Sequence, residues 1–334
     1  MHHLVSLILL LLIVLPAHAA AQAARFETTT TAGLRWFKGN THTHTINTDG
    51  DSPPDTVVKW YKDKGYNFLV ISDHDTITEP ATLARFADAN FILVPGEEVT
   101  GRFNGAPVHQ TAINLKRMVK PVTAPTLLGT LQSNADAIRA AGGFPLINHP
   151  NYRWALNGQT ILDTRGISLF ELYNGHPHVH NAGSSEVPST EALWDQLLSR
   201  GKRIYGVASD DAHHLQRWGG ATDVNPGRGW IYVRAAQLEP NAIAEAIERG
   251  QFYASTGVEL EDVIVEPHAI EVRIKPDVDF KYTIEFVGEN GKVLQRSHGT
   301  RARYALGQGT SYVRARITNS GGRTAWTQPA FVAR

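Results

Sequence analysis

The chain contains no cysteine. That absence excludes a disulfide framework, a thiolate metal site and a lipid anchor on an N-terminal thiol, so any metal must be held by His, Asp and Glu. Net charge is also missing: Lys plus Arg and Asp plus Glu number 32 each. No global field is left to hold a long polyanion, and long nucleic acid is not an expected partner. The 334 residues show no internal repeat and no low-complexity segment. They are 42% hydrophobic and 19% charged, an ordinary globular composition with room for one sizeable domain and a small one.

The longest apolar run, Leu4–Leu15 with only Ser6 intervening, is shorter than the roughly 20 residues that a membrane-spanning helix needs. Pro16-Ala17-His18-Ala19 follows it, with small residues at the A-x-A positions. This is the shape of a secretory signal peptide, although His2 and His3 stand where Lys or Arg is usual. Residues 1–24 are expected to be removed on export, which predicts a periplasmic or secreted protein with no stable membrane anchor. An uncleaved N-terminal anchor is the alternative.

From Trp36 to Gly257, short apolar segments alternate with helix-like ones. Helices are expected from Pro53–Pro54 to Gly65, near Thr82–Ala89, before Gly142-Gly143, at Thr190–Ser199 and at Pro240–Arg249. Strands are expected at Phe68–Ile71, Phe91–Val94, Leu146-Ile147, Ile167–Leu172, Ile204–Ala208 and Trp230–Val233. The alternation predicts a parallel sheet with helices outside it, closed into an α/β barrel over residues 25–257. From Val258 the pattern turns to short strands: Ala269–Ile274, Tyr282–Val287, Val293–Arg296 and Tyr312–Thr318. Glu289-Asn290-Gly291 and Asn319–Gly322 supply turns, so residues 258–334 read as a small all-β sandwich.

Histidine is what the chain does have. Ten of the twelve histidines beyond the N-terminal segment lie between His42 and His214. His42 and His44 are two residues apart, and on an extended chain both point to the same side. Asp49 follows. Ser72-Asp73-His74-Asp75 comes directly after one predicted strand and Gly96-Glu97-Glu98-Val99-Thr100 directly after another. His109, Asn148-His149-Pro150 and Ser209-Asp210-Asp211-Ala212-His213 complete the set. In α/β barrels the reactive groups gather at the C-terminal strand ends, so these six segments are expected to meet around metal.

The motifs HTHT, SDHD, GEEVT, NHP and DDAH, in this order, resemble those of the polymerase and histidinol phosphatase (PHP) family, over about Arg35 to Gly257. The resemblance implies a distorted (β/α)7 barrel with a metal cluster at its mouth, and hydrolysis of phosphomonoesters or phosphodiesters. The ligands it implies are His42, His44, Asp49, His74, Glu98, His109, His149, Asp211 and His213, with Glu98 preferred to Glu97 and Asp211 to Asp210. The β-rich tail lies outside the resemblance. Imidazole and carboxylate without thiolate suit zinc, manganese or iron(II), and nine ligands imply two or three divalent ions.

The expected reaction is in-line attack on phosphorus by a metal-bound hydroxide. Asp211 is expected to assist the nucleophile. Asp73, with Asp75, is expected to orient His44 or His74. Tyr152, Arg153 and Trp154, just after His149, together with Asn174, His176 and Arg228, are expected to contact a small phosphorylated substrate of nucleotide or sugar phosphate type. Amide or lactone hydrolysis at the same cluster, and a non-catalytic secreted metal-binding module, are the alternatives.

Overall fold

The computed structural model describes residues 24–333. The signal peptide read at residues 1–24 therefore lies outside the described residues apart from Ala24. No helix among the described residues is long and apolar enough to cross a membrane.

The fold is mixed α/β with several sheets. Strands β1 (Arg35–Asn40), β2 (Phe68–Val70) and β3 (Ile92–Val94) pair in parallel. A second sheet holds β4 (Gly96–Phe103), β5 (Ala106–Ile113), β6 (Phe144–Ile147), β7 (Leu169–Asn174) and β8 (Tyr205–Ser209) in that order. Strands β9 (Trp230–Ala235) and β10 (Phe252–Ser255) extend the first sheet beyond β1, β9 antiparallel to β1 and β10 antiparallel to β9. Among the described residues there are five α-helices: α1 (Pro54–Asp63), α2 (Leu127–Ala140), α3 (Gly158–Asp163), α4 (Thr190–Ser199) and α5 (Pro240–Glu248). Pro at the start of α1 and α5 has no N–H to leave unpaired there, while Thr126, Asn157 and Ser189 cap α2, α3 and α4 through side-chain oxygens.

A regular (β/α)7 alternation is not seen. The helix expected at Thr82–Ala89 is a 3-10 segment, Pro80–Phe86. The GEEVT segment, expected to follow a strand, is itself strand: β4 and β5 form an antiparallel hairpin pairing Glu98 with Thr111 and Thr100 with His109. Its turn, Asn104-Gly105, has positive φ at both residues, 50° and 78°, the geometry that favours Asn-Gly in tight hairpins. The two sheets meet at their site ends through isolated parallel bridges, Thr43 to Ala212 and His74 to Glu98.

The β-rich tail is not a separate sheet. Its strands are β11 (Leu260–Glu266), β12 (Ala269–Ile274), β13 (Tyr282–Val287), β14 (Val293–His298), β15 (Arg301–Ala305), β16 (Tyr312–Asn319), β17 (Thr324–Thr327) and β18 (Ala330–Phe331). Strand β17 pairs with β10, so β14-β13-β16-β17 continue the first sheet into one of ten strands. The three-stranded sheet β11-β12-β15 supplies Ile270, Val272 and Ile274 to a core shared with Ile284, Phe286 and Ile317. Phe26 and Tyr253, from outside the tail, are buried in this core as well.

A buried ion network ties α4 to β16. The Arg314 guanidinium is fully buried and donates to both oxygens of Asp195, at 2.8 and 2.7 Å, and to Glu191 at 2.8 Å. Tyr312 donates to Asp195 from the same strand, and Arg316 donates to Glu191 at 3.2 Å. Removing one member leaves buried charge without compensation. Arg314→Met is expected to destabilise the protein by about 3–5 kcal/mol, read as a lowered urea midpoint. A midpoint equal to that of the wild type would show the network to be dispensable.

Candidate metal centre

The nine residues read as ligands all come together. Four groups of nitrogen and oxygen atoms each lie within 4.8 Å: His44, Asp49, His74 and His213; His42, Glu98 and His149; His42, His44 and Asp211; and His74, Glu98 and His109. The Nε2 atoms of His42 and His44 are 3.1 Å apart, and Asp211 Oδ1 lies 3.1 and 3.2 Å from them. Glu98 Oε1 is 3.1 Å from His109 Nδ1 and 3.3 Å from His149 Nε2, while its Oε2 is 3.0 Å from His74 Nδ1. Asp49, on an exposed loop, lies 3.3 Å from His74 Nε2 and 3.4 Å from His213 Nε2.

Strand register produces this convergence. His42 and His44 leave the end of β1, with the chain pinned by His44 N–H to the Ala212 carbonyl and Asp211 N–H to the His42 carbonyl. Glu98 lies on β4, where its N–H donates to the Asp73 carbonyl. The neighbours of these residues face elsewhere. Glu97 accepts from the Val119 N–H, and Asp210 accepts from the Arg228 and Gly229 N–H groups and from the Tyr61 hydroxyl.

Charge inside the cluster follows from who surrounds whom. Burial opposes a charge on His42, yet Asp211, Glu171 and Glu98 outweigh it and raise its pKa well above the usual value. Burial likewise opposes charge on Glu98, and the imidazoles of His109 and His42 hold its carboxyl well below the usual range. For His74, burial is overcome by the Asp49 carboxylate, which raises its pKa to about 9.

The donor set fits divalent cations. The ligands are hard or borderline nitrogen and oxygen atoms. His44 Nδ1 and His109 Nε2 are buried with no hydrogen-bond partner, and unpaired buried polar atoms are costly unless something satisfies them. Protons and metal compete for these imidazoles, so metal loading weakens as pH falls.

Several other residues sit differently from expectation. Asp73 touches neither His44 nor His74. Its oxygens accept from Thr45 N–H and from the Thr45, Thr48 and Thr78 hydroxyls, so it shapes the loop that carries Asp49. Asp75 accepts from the Thr100 N–H, and the Thr100 hydroxyl in turn meets His74 Nδ1 at 2.7 Å. Asn174 is buried, not a substrate contact: its amide donates to Glu171 at 2.8 Å and Asp211 at 3.1 Å. Arg228 is spent on the Gly175 carbonyl. Trp154 stacks on His180 at 4.5 Å and is not among the cavity-lining residues. Tyr152, Arg153 and His176 do line the cavity of about 560 Å³ above the cluster. Burial pushes the His176 imidazole down to about 4.

Sequence reasoning missed Glu171 and Arg102. Glu171 is fully buried on β7 and accepts at 2.7 Å from His42 Nδ1, at 2.7 Å from the His149 N–H and from Ser209. Its signal was an acid inside the apolar run Leu169–Leu172. Arg102, on the β4–β5 hairpin, lines the cavity mouth.

Glu171 fixes the His42 tautomer that turns Nε2 toward the cluster. Such supporting carboxylates are worth about 10–100-fold in metal affinity. Glu171→Gln is expected to lose that much in chelator competition, and unchanged affinity would remove it from the site. Glu97 carries a separate prediction. Burial raises its pKa to about 7 from an ordinary 4.5. Its stabilising contribution is thus complete below about pH 4.5 and lost as pH rises through about 7. Glu97→Gln is expected to flatten this decline in urea midpoints measured from acid to mildly alkaline pH; a decline that persists would assign it to other groups.

No protein-family profile matches the chain, and no curated protein matches it. Among solved structures, a two-domain protein of Bacteroides vulgatus containing a predicted PHP-like metal-dependent phosphoesterase is similar at TM-score 0.50 and 14% identity, over 90% of this chain and 94% of that one. A protein of Bifidobacterium adolescentis assigned as a metal-dependent phosphoesterase is similar at TM-score 0.40 and 16% identity, over 55% of this chain and 90% of that one. An amidohydrolase of Chromobacterium violaceum with bound sulfate and no metal is similar at TM-score 0.39 and 15% identity, over 55% and 93%. The chain shares the overall fold of the Bacteroides protein.

Proposed function

We propose that the protein is a metal-dependent phosphoesterase acting on small phosphomonoesters or phosphodiesters. The single observation that carries this reading is the convergence of nine His, Asp and Glu side chains beneath one cavity. His42, His44, Asp49, His74, Glu98, His109, His149, Asp211 and His213 would hold two or three divalent ions of zinc, manganese or iron. When bound, such ions lower the pKa of water and polarise a phosphoryl oxygen.

The protein's own groups have defined tasks. Glu171 bonds the outer nitrogen of His42, and His213 Nδ1 donates to the Asp211 carbonyl at 2.8 Å. Each bond fixes a ring orientation and leaves Nε2 to the cluster, while Thr100 meets His74 Nδ1 beside Glu98. Asn174 holds one oxygen of Asp211, leaving Oδ1 to face the two imidazoles. Tyr152 and Arg153 line the mouth with Arg102. The arginines favour an anionic substrate over a neutral amide or lactone, because a guanidinium pairs with anionic oxygens in a bidentate fork.

We further propose that the barrel is a distorted one, closed at the site by the Thr43–Ala212 and His74–Glu98 bridges, with residues 258–334 as an accessory β-domain. Export through the N-terminal segment to the periplasm or beyond belongs to the same reading.

The test is elemental analysis of the chain purified without chelator, followed by assay on p-nitrophenyl phosphate and bis-p-nitrophenyl phosphate. Two or three equivalents of transition metal are expected, with ester cleavage reduced at least about 100-fold in His74→Ala. Bound metal with both esters untouched would redirect the reading to amides or lactones. No metal after reconstitution with manganese, iron(II) and zinc would overturn it.

A further inference from the structure

Along β4, the side chains of Glu98, Thr100 and Arg102 share one face, since strand side chains alternate with period two. They form a row running outward from the cluster. Glu98 is buried within it, Thr100 is half-buried against His74, and Arg102 is exposed at the rim. Four residues of strand advance the backbone by about 13 Å. That is more than one arginine side chain spans, so Arg102 stands toward the rim and not on the cluster itself.

Arg153 stands on the neighbouring wall, because β5 pairs with β6 and the turn carrying Arg153 follows β6. That turn is braced and strained. His149, Arg153 and Trp154 have positive φ, at 20°, 52° and 56°, values that non-glycine residues adopt only when the surroundings impose them. The surroundings here are the Trp154–His180 stack and Asn151, whose amide donates to the His180 and Pro188 carbonyls. The strain holds Arg153 at the cavity.

Among the described residues, neither guanidinium makes an ion pair or a side-chain hydrogen bond. Arg217 and Arg228, beyond the Asp211 segment, are by contrast engaged with Asp223 and the Gly175 carbonyl. Two guanidiniums without ion pairs, both lining a cavity of about 560 Å³ whose floor would hold the cations, are placed to meet anionic oxygens that the floor does not reach.

We infer that the substrate is a small phosphate ester with a second anionic group, carboxylate or phosphate, which Arg102 and Arg153 hold at the rim while the ester phosphate sits on the cluster. This rests on the phosphoesterase reading and names its substrate class.

The experiment is calorimetric binding of three ligand series to the full chain loaded with manganese: alkylphosphonates, ω-carboxyalkylphosphonates and alkylene bisphosphonates, each over a range of chain lengths. A carboxylate or second phosphonate is expected to tighten binding by about tenfold or more at one preferred length, the scale of a charge-assisted bond. Comparison of the last two series identifies the anion. In Arg102→Met and Arg153→Met that advantage is expected to fall to about twofold, and Arg102→Lys, which keeps charge without the fork, to retain part of it. Equal affinity for charged and uncharged ends at every length, in a protein that still turns over simple esters, would overturn this inference and leave the phosphoesterase reading standing. An advantage unchanged in both methionine variants would overturn the assignment to these arginines. No phosphonate binding together with no ester turnover would overturn both.

Discussion

The Glu98 carboxylate is the point on which the rest of the site depends. Its backbone closes the gap between β2 and β4 through the Asp73 carbonyl, and its two oxygens face His74, His109 and His149. A buried carboxylate is tolerated only when it is paired and hydrogen-bonded. The imidazoles and the Asn148 amide, which donates at 2.7 Å, meet that requirement. The same groups draw the two sheets together at their site ends, so joining the sheets and building the cluster are one event. The cluster is expensive in polar burial, and a bound cation would offset much of that expense by satisfying the nitrogens left without partners.

Around this point the backbone is bent away from comfortable geometry. Asp75, His149, Arg153, Trp154, His180 and Asp211 all have positive φ near the site, whereas the positive-φ residues elsewhere that are not glycine are Asn104, Asn114, Asp279 and Asn290. Asn, Asp and His adopt that region more readily than Arg and Trp do. Strain concentrated in such residues marks where the structure has been shaped for a task other than stability.

The tail is tied to the rest of the molecule by strand pairing and buried ions. The tail continues the first sheet through β17 and β10, and the Arg314–Asp195–Glu191 network locks β16 to α4. A buried ion network of this kind is modest as a source of net stability, but it is intolerant of losing a member and so fixes one arrangement of helix and sheet. Helix α4 is in turn packed against β7, which carries Glu171, through Trp194 and Phe170. The accessory strands and the metal centre therefore share a mechanical foundation, which a chain cut at residue 257 would lose.

Much of the centre could be read before any fold was known. The pair His42 and His44 carries its own geometry, because two residues of extended chain return to the same side. His74, Glu98, His149 and Asp211 each sit in a compact motif beside an apolar strand, and patterns this local survive without tertiary knowledge. The helices α1, α4 and α5 were legible as well, α1 and α5 through their proline starts. The β4–β5 hairpin lay outside the expected elements, although Asn104-Gly105 carries the signature of its turn. Side-chain direction was beyond local pattern. Asp73, Asn174, Arg228 and Trp154 have the right chemistry at the right positions along the chain, and each is turned to a partner that only packing supplies. Arg102 was invisible for the converse reason, and Glu171 showed only as an acid in an apolar run, until the register of β4 against β5 and of β7 against β8 aims them at the site. Composition and short-range spacing settled which atoms are available for metal. Long-range strand register, which no local window contains, decided which of them face one another.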